Sequence, residues 1–136
     1  MGSRPNQRER YRRHLKTLVQ VGAPGKDDLH RRRLGQALEI VLLQNPYQLD
    51  PGATLQVQVL FQGNPLSDAL VKAYNRDAGG SVIKAKARTD AQGIARFKLN
   101  HKGFWLLRLV HLQPCRGDCR FADWESNWAS YSFGLE

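Results

Sequence analysis

Long apolar runs are missing from this chain of 136 residues. No stretch reaches the roughly eighteen apolar residues that a membrane-spanning helix needs, which excludes a helical span. Cysteine is scarce: Cys115 and Cys119 are the only two, too few for a disulfide scaffold. No glycine-rich stretch opens a helix behind a strand, so there is no phosphate cradle. Behind Met1, the residues GSRPNQRERYRRH carry charge but no apolar signal-peptide core, so the chain as written is expected to stay where it is made. Past residue 37 no helical period is found, and a parallel α/β fold is excluded because the gaps between apolar segments are too short for crossover helices. What remains is a composition 41% hydrophobic, that of one globular domain.

The net charge of +9 is unevenly placed. Residues 1–35 hold ten Arg and Lys against three acids, while the other 101 residues hold eleven against nine. Basicity therefore belongs to the leader, with Arg8, Arg10, Arg12, Arg13 and Lys16 at its centre, and the body reads as nearly neutral. Within the leader, Tyr11, Leu15, Leu18 and Val19 fall at i, i+4, i+7 and i+8, which predicts a short amphipathic helix. Gly22, Pro24 and Gly25 end it. Residues 1–37 are read as a basic helix and linker, and residues 38–136 as the folded domain.

In that domain the period is two. LEIVLLQN (38–45) is a continuous apolar run, and TLQVQVLFQG alternates Leu55, Val57, Val59 and Phe61 with glutamines. The segments around Val71, Ile83, Phe97 and Tyr131 repeat the alternation, GFWLLRLVHL (103–112) is the most apolar of the set, and turns such as NRDAGG and TDAQG lie between them. Lys84, Lys86 and Arg88 are expected to face water. About seven strands, each with one apolar face, predict an all-β fold: an Ig-like antiparallel sandwich of two packed sheets.

The strings GNPLSDALVKAYNR, RTDAQGIARFKL and HKGFWLLRLVHL resemble the G-x-P-L … T-D-x-x-G-x-x-x-F … G-x-W grammar of transthyretin-like and carboxypeptidase-regulatory-like β-sandwich modules. With LEIVLLQNPYQLDPGATLQVQVLFQGNPL and the terminal ADWESNWASYSF, residues 8–136 more narrowly resemble exported bacterial proteins labelled NikM-like, a domain of unknown function. That resemblance implies a periplasmic or envelope location, other envelope or transporter components as partners, and an accessory role in uptake of a transition metal such as nickel or cobalt. It also implies that the chain is the C-terminal domain of a longer exported protein.

The residues leave several sites open. His111, Cys115, Cys119, Asp123 and Glu125 are the donors for a transition metal, since imidazole and thiolate suit such ions. His111 shares a strand face with Trp105, Leu107 and Leu109, which also fits a hydrogen-bonded histidine at the edge of the core. The stretch CRGDC (115–119) reads as a turn that closes a five-residue disulfide ring in an oxidising compartment, or as thiolates left for a metal. In the periplasm no integrin would meet its Arg-Gly-Asp. Trp124 and Trp128, with Asp123 and Glu125 around them, form a ligand lip or cap one end of the sandwich. For catalysis, Ser126 and Ser130 approach His111 only if the last two strands pair, and no orienting acid marks a triad. The expected function is therefore non-enzymatic. The alternatives are a metal-independent ligand- or protein-interaction module, and binding of nucleic acid or an anionic surface by the basic leader. The leader lacks the interleaved aromatics of a single-strand platform, which argues against nucleic acid.

Overall fold

The computed structural model describes residues 8–23, 27–117, 119–120 and 122–136. Nine strands follow in chain order among them: β1 (Glu9–Leu18), β2 (Leu38–Leu42), β3 (Thr54–Phe61), β4 (Asn64–Pro65), β5 (Leu70–Arg76), β6 (Val82–Arg88), β7 (Ile94–Lys98), β8 (Gly103–Pro114) and β9 (Trp124–Leu135). Single 3-10 turns stand at Leu29–Arg31 and Pro46–Gln48. One sheet has the order β1-β9-β8-β5-β6; in the other, β3 pairs with β2, β4 and β7.

All seven expected strands are present, and the two sheets pack as a sandwich. Alternation explains the packing. Leu55, Val57 and Val59 from β3 face Leu107, Leu109, Tyr131 and Phe133 from β8 and β9 in one buried cluster, while the residues between them point outward. Trp105 stacks on Phe133 with ring centroids 6.5 Å apart and donates its Nε1–H to the His101 carbonyl at 3.0 Å, so the largest core ring carries no stranded polar atom.

Two turns hold the sheets in register. Gln62 and Gly63 both have positive φ, the backbone that a tight hairpin between β3 and β4 requires. In the TDAQG turn, Asp90 Oδ1 accepts from the amides of Gln92 (2.9 Å) and Ile94 (3.0 Å). Thr89 Oγ1 accepts from the Ala69 amide at 2.8 Å and donates to the Leu66 carbonyl at 2.7 Å. Gly93 has φ +76°, and a Cβ there would stand 2.7 Å from the Val59 carbonyl oxygen. The residue must be glycine for the chain to pass so close.

The helix expected at the N-terminus is a strand. β1 runs parallel to β9 over ten residues, from Glu9↔Trp124 to Leu18↔Phe133. A helix of about a dozen residues is marginal by itself, whereas the open edge of β9 offers a full row of backbone partners. Of the apolar residues that suggested a helical stripe, Tyr11, Leu15 and Val19 are left in solvent, with Tyr11 and Leu15 on the outer face of the sheet, while Leu18 packs against the core. The inward positions are Arg10, Arg12, His14, Lys16 and Leu18, of which Arg10, His14 and Lys16 reach groups on β9 and β2. Lys16 Nζ lies 2.6 Å from Glu39 Oε2, with both side chains almost fully buried at 7% and 3% exposure. It also donates to the carbonyls of Ile40 (3.0 Å) and Arg32 (3.1 Å).

Candidate functional site

β8 and β9 form one long antiparallel hairpin, from Gly103↔Leu135 to Pro114↔Trp124. The residues between them include the cysteine loop. Cys115 and Cys119 are joined in a disulfide with their Cα atoms 5.8 Å apart, so neither supplies a thiolate. Asp118, the acid of the Arg-Gly-Asp run, lies outside the described residues.

The other expected metal donors are engaged elsewhere. Asp123 Oδ2 accepts from the Arg8 amide at 2.9 Å, and the amides of Asp123 and Trp124 donate to the Arg8 carbonyl. Glu125 takes Arg10 Nη2 at 2.8 Å. His111 faces inward opposite Asn127 and packs its ring on Phe61, centroids 4.5 Å apart; burial lowers its pKa from the ordinary 6.5. It sits at the core edge as expected, but a ring contact fills the place of the expected hydrogen bond. Among the described residues no group of three or more His, Cys, Asp and Glu side chains is placed to hold an ion. The donor set does not fit a metal centre.

Strand pairing also separates the serines from His111. Alternation places Ser126 and Ser130 on the outer face of β9 and His111 on the inner face of β8. The segment read as a Trp-rich lip or cap is the first half of β9. Trp124 and Trp128 lie on its outer face, and Trp128 donates Nε1–H to Ser126 Oγ at 3.2 Å while Arg13 stands over its ring at 5.9 Å. Ser126 Oγ–H in turn meets Glu9 Oε1. The basic leader is accordingly bound into the fold: Arg8 to Asp123, Arg10 to Glu125, Arg13 to Trp128 and Lys16 to Glu39, with Arg12 exposed.

A different surface has the features of a site. Among the described residues the strands of the five-stranded sheet carry Arg13, Lys72, Arg76, Lys84, Lys86, Arg88 and Arg108 on the outer face, against one strand carboxylate, Glu9, at its far corner, and Arg88 lies 3.7 Å from Asp68 in the turn before β5. Lys86, Lys72 and Arg108 are direct cross-strand neighbours on β6, β5 and β8, about 5 Å apart from strand to strand. Arg108 donates to the Tyr74 hydroxyl at 2.9 Å and lies over its ring at 4.8 Å. Among the described residues Lys72, Arg76, Lys84 and Lys86 have no ion-pair partner. Beside them Tyr74, Arg76, Val82, Phe104, Leu106 and Arg108 line a depression of about 230 Å³.

A protein-family model described as Domain of unknown function (DUF4198) matches residues 2–113. The chain belongs to that family. The matched span takes in β1 to β8 up to Gln113 and stops before the disulfide loop and β9. The family strands thus include β5, β6 and β8, which carry six of the seven outer-face cations. No curated protein and no solved structure matches the chain.

Sequence reasoning missed this face. Counting charge along the chain placed the basicity in the leader, because the acids of the body offset its bases. The available signal was position within the alternation: the solvent-facing sites of β5, β6 and β8 hold Lys72, Arg76, Lys84, Lys86, Arg88 and Arg108 and no acid.

Proposed function

We propose that the protein is a non-enzymatic binding domain that docks an anionic partner on the outer face of its five-stranded sheet. The observation that carries this reading is the row Lys86, Lys72 and Arg108. Like charges directly opposite one another destabilise a sheet, and a carboxylate at any of these exposed sites would relieve the repulsion. A row of cations retained at a stability cost is explained by an anion that neutralises it. The leader supplies a weaker case, since Arg8, Arg10 and Lys16 are already paired with Asp123, Glu125 and Glu39.

The domain acts in the cell envelope, the location that the resemblance to exported bacterial proteins implies, and the disulfide between Cys115 and Cys119 supports an oxidising compartment. In transition-metal uptake, its role would be to hold components in place, not to coordinate the ion, because His111, Asp123 and Glu125 are committed to packing and ion pairs. Amide chemical-shift mapping with a heparin oligosaccharide as the polyanionic probe tests the reading. Shifts centred on Lys72, Lys84, Lys86 and Arg108 are expected. Shifts centred on Arg8 to Lys16 would transfer the function to the leader, and no shifts at low salt would refute anion binding.

A further inference from the structure

The outer face carries apolar side chains that a purely electrostatic partner does not need. Phe104, Val110 and Leu112 are 49%, 45% and 46% exposed, and they alternate along β8 on the same face as Arg108. Trp128 stands beside Val110 on β9, and Leu15 and Tyr11 extend the surface onto β1. Cations therefore dominate β5 and β6, while β8, Trp128 and the β1 residues Tyr11 and Leu15 add exposed aliphatic and aromatic groups to the same face.

Resting on the reading above, we propose that the anionic partner is a lipid surface. Lys72, Lys84, Lys86 and Arg76 meet the phosphates of anionic headgroups, and Phe104, Val110, Leu112 and Trp128 enter the boundary between headgroups and acyl chains. Lipid accounts for both kinds of group on the face. Cationic residues draw the protein to an anionic leaflet, apolar area adds affinity at the interface, and lysine stems extend along apolar surface while their ammonium groups reach the phosphates.

The other anionic partners explain less. A single-stranded nucleic acid stacks its bases on rings, but the exposed groups of β8 include the aliphatic Val110 and Leu112, and the Tyr74 ring is already covered by Arg108. A second copy of this chain, face to face, would set cations against cations. An acidic protein would need charges fixed in matching geometry, whereas Lys72, Lys84 and Lys86 have no partner to hold them in one place; a fluid headgroup layer needs no such match.

Co-sedimentation of the full chain with vesicles tests the inference, using pure phosphatidylcholine and phosphatidylcholine mixed with phosphatidylglycerol. Binding to the mixed vesicles alone is expected. The double variant Lys84→Glu/Lys86→Glu should weaken it roughly tenfold or more. Val110→Ser/Leu112→Ser should weaken it several-fold while leaving retention on heparin unchanged. Thermal unfolding of both variants confirms that they fold. If the apolar variant binds vesicles as the parent does, or the parent is retained on heparin but ignores phosphatidylglycerol, the lipid inference fails and the anionic-partner reading stands. If the parent binds neither, both fail.

Discussion

The pair of Lys16 and Glu39 shows how single residues tie the edge strand to the opposite sheet. Burial pushes the Glu39 carboxyl up, but Lys16 and the amides of Leu34 (2.5 Å) and Gly35 (3.2 Å) outweigh it and hold the pKa below the ordinary 4.5. Breaking a buried pair from one side leaves the other charge uncompensated and costs about 3–5 kcal/mol. Glu39→Gln is therefore expected to lose about that much in urea unfolding at neutral pH. The sign of the pH dependence follows from the depressed pKa: the carboxylate stabilises the fold above pH 4.5, and this is lost as pH falls through the lower folded value. The gap between parent and variant should narrow in that acid window. A constant gap at all pH values would show that Glu39 acts through packing alone. The sequence did not disclose this pair, because Lys16 and Glu39 sit 23 positions apart and meet only once β1 joins the sheet.

At the scale of elements, the strands of the sandwich body were legible and its two ends were not. β3, β5 and β7 alternate apolar and polar residues, and the expected faces are the observed ones; β8 is apolar along most of both faces, yet Trp105, Leu107, Leu109 and His111 share its inward face as expected. β1 misled because Tyr11, Leu15 and Leu18 fit a helical spacing, while four of its five inward residues, Arg10, Arg12, His14 and Lys16, are polar; the partners of Arg10, His14 and Lys16 lie on β9 and β2. β9 was read short because Trp124–Trp128 looked like a loop of mixed character. Its outward positions hold tryptophan and serine, and the inward Glu125 and Asn127 are satisfied by Arg10 and His14. Of the two readings of Cys115 and Cys119, a disulfide or a pair of thiolates for a metal, the structure holds the disulfide. Closing five residues contributes about 2 kcal/mol on the chain-entropy estimate. Reduction is expected to lower stability by about that amount and to leave the strands intact by circular dichroism. No change on reduction would mean that the hairpin registers itself without the bond.

For the whole molecule, the sum of charges was a poor guide and their placement a good one. Three of the leader's bases are paired with Asp123, Glu125 and Glu39, and the body, nearly neutral as a sum, sets six of its eleven bases on one sheet face. This sorting follows from the period of two, which makes every solvent-facing position of β5, β6 and β8 share a single surface. Sequence order hides the surface because its three strands pair as β8-β5-β6, out of chain order. The most direct test compares retention on heparin of the parent, Lys84→Glu/Lys86→Glu and the leader control Arg12→Glu over a salt gradient. The sheet-face pair should elute at markedly lower salt than the parent, well beyond the shift of the control after allowing for its single reversal. Equal shifts per reversed charge would show that only net charge matters and would contradict a docking face on this sheet.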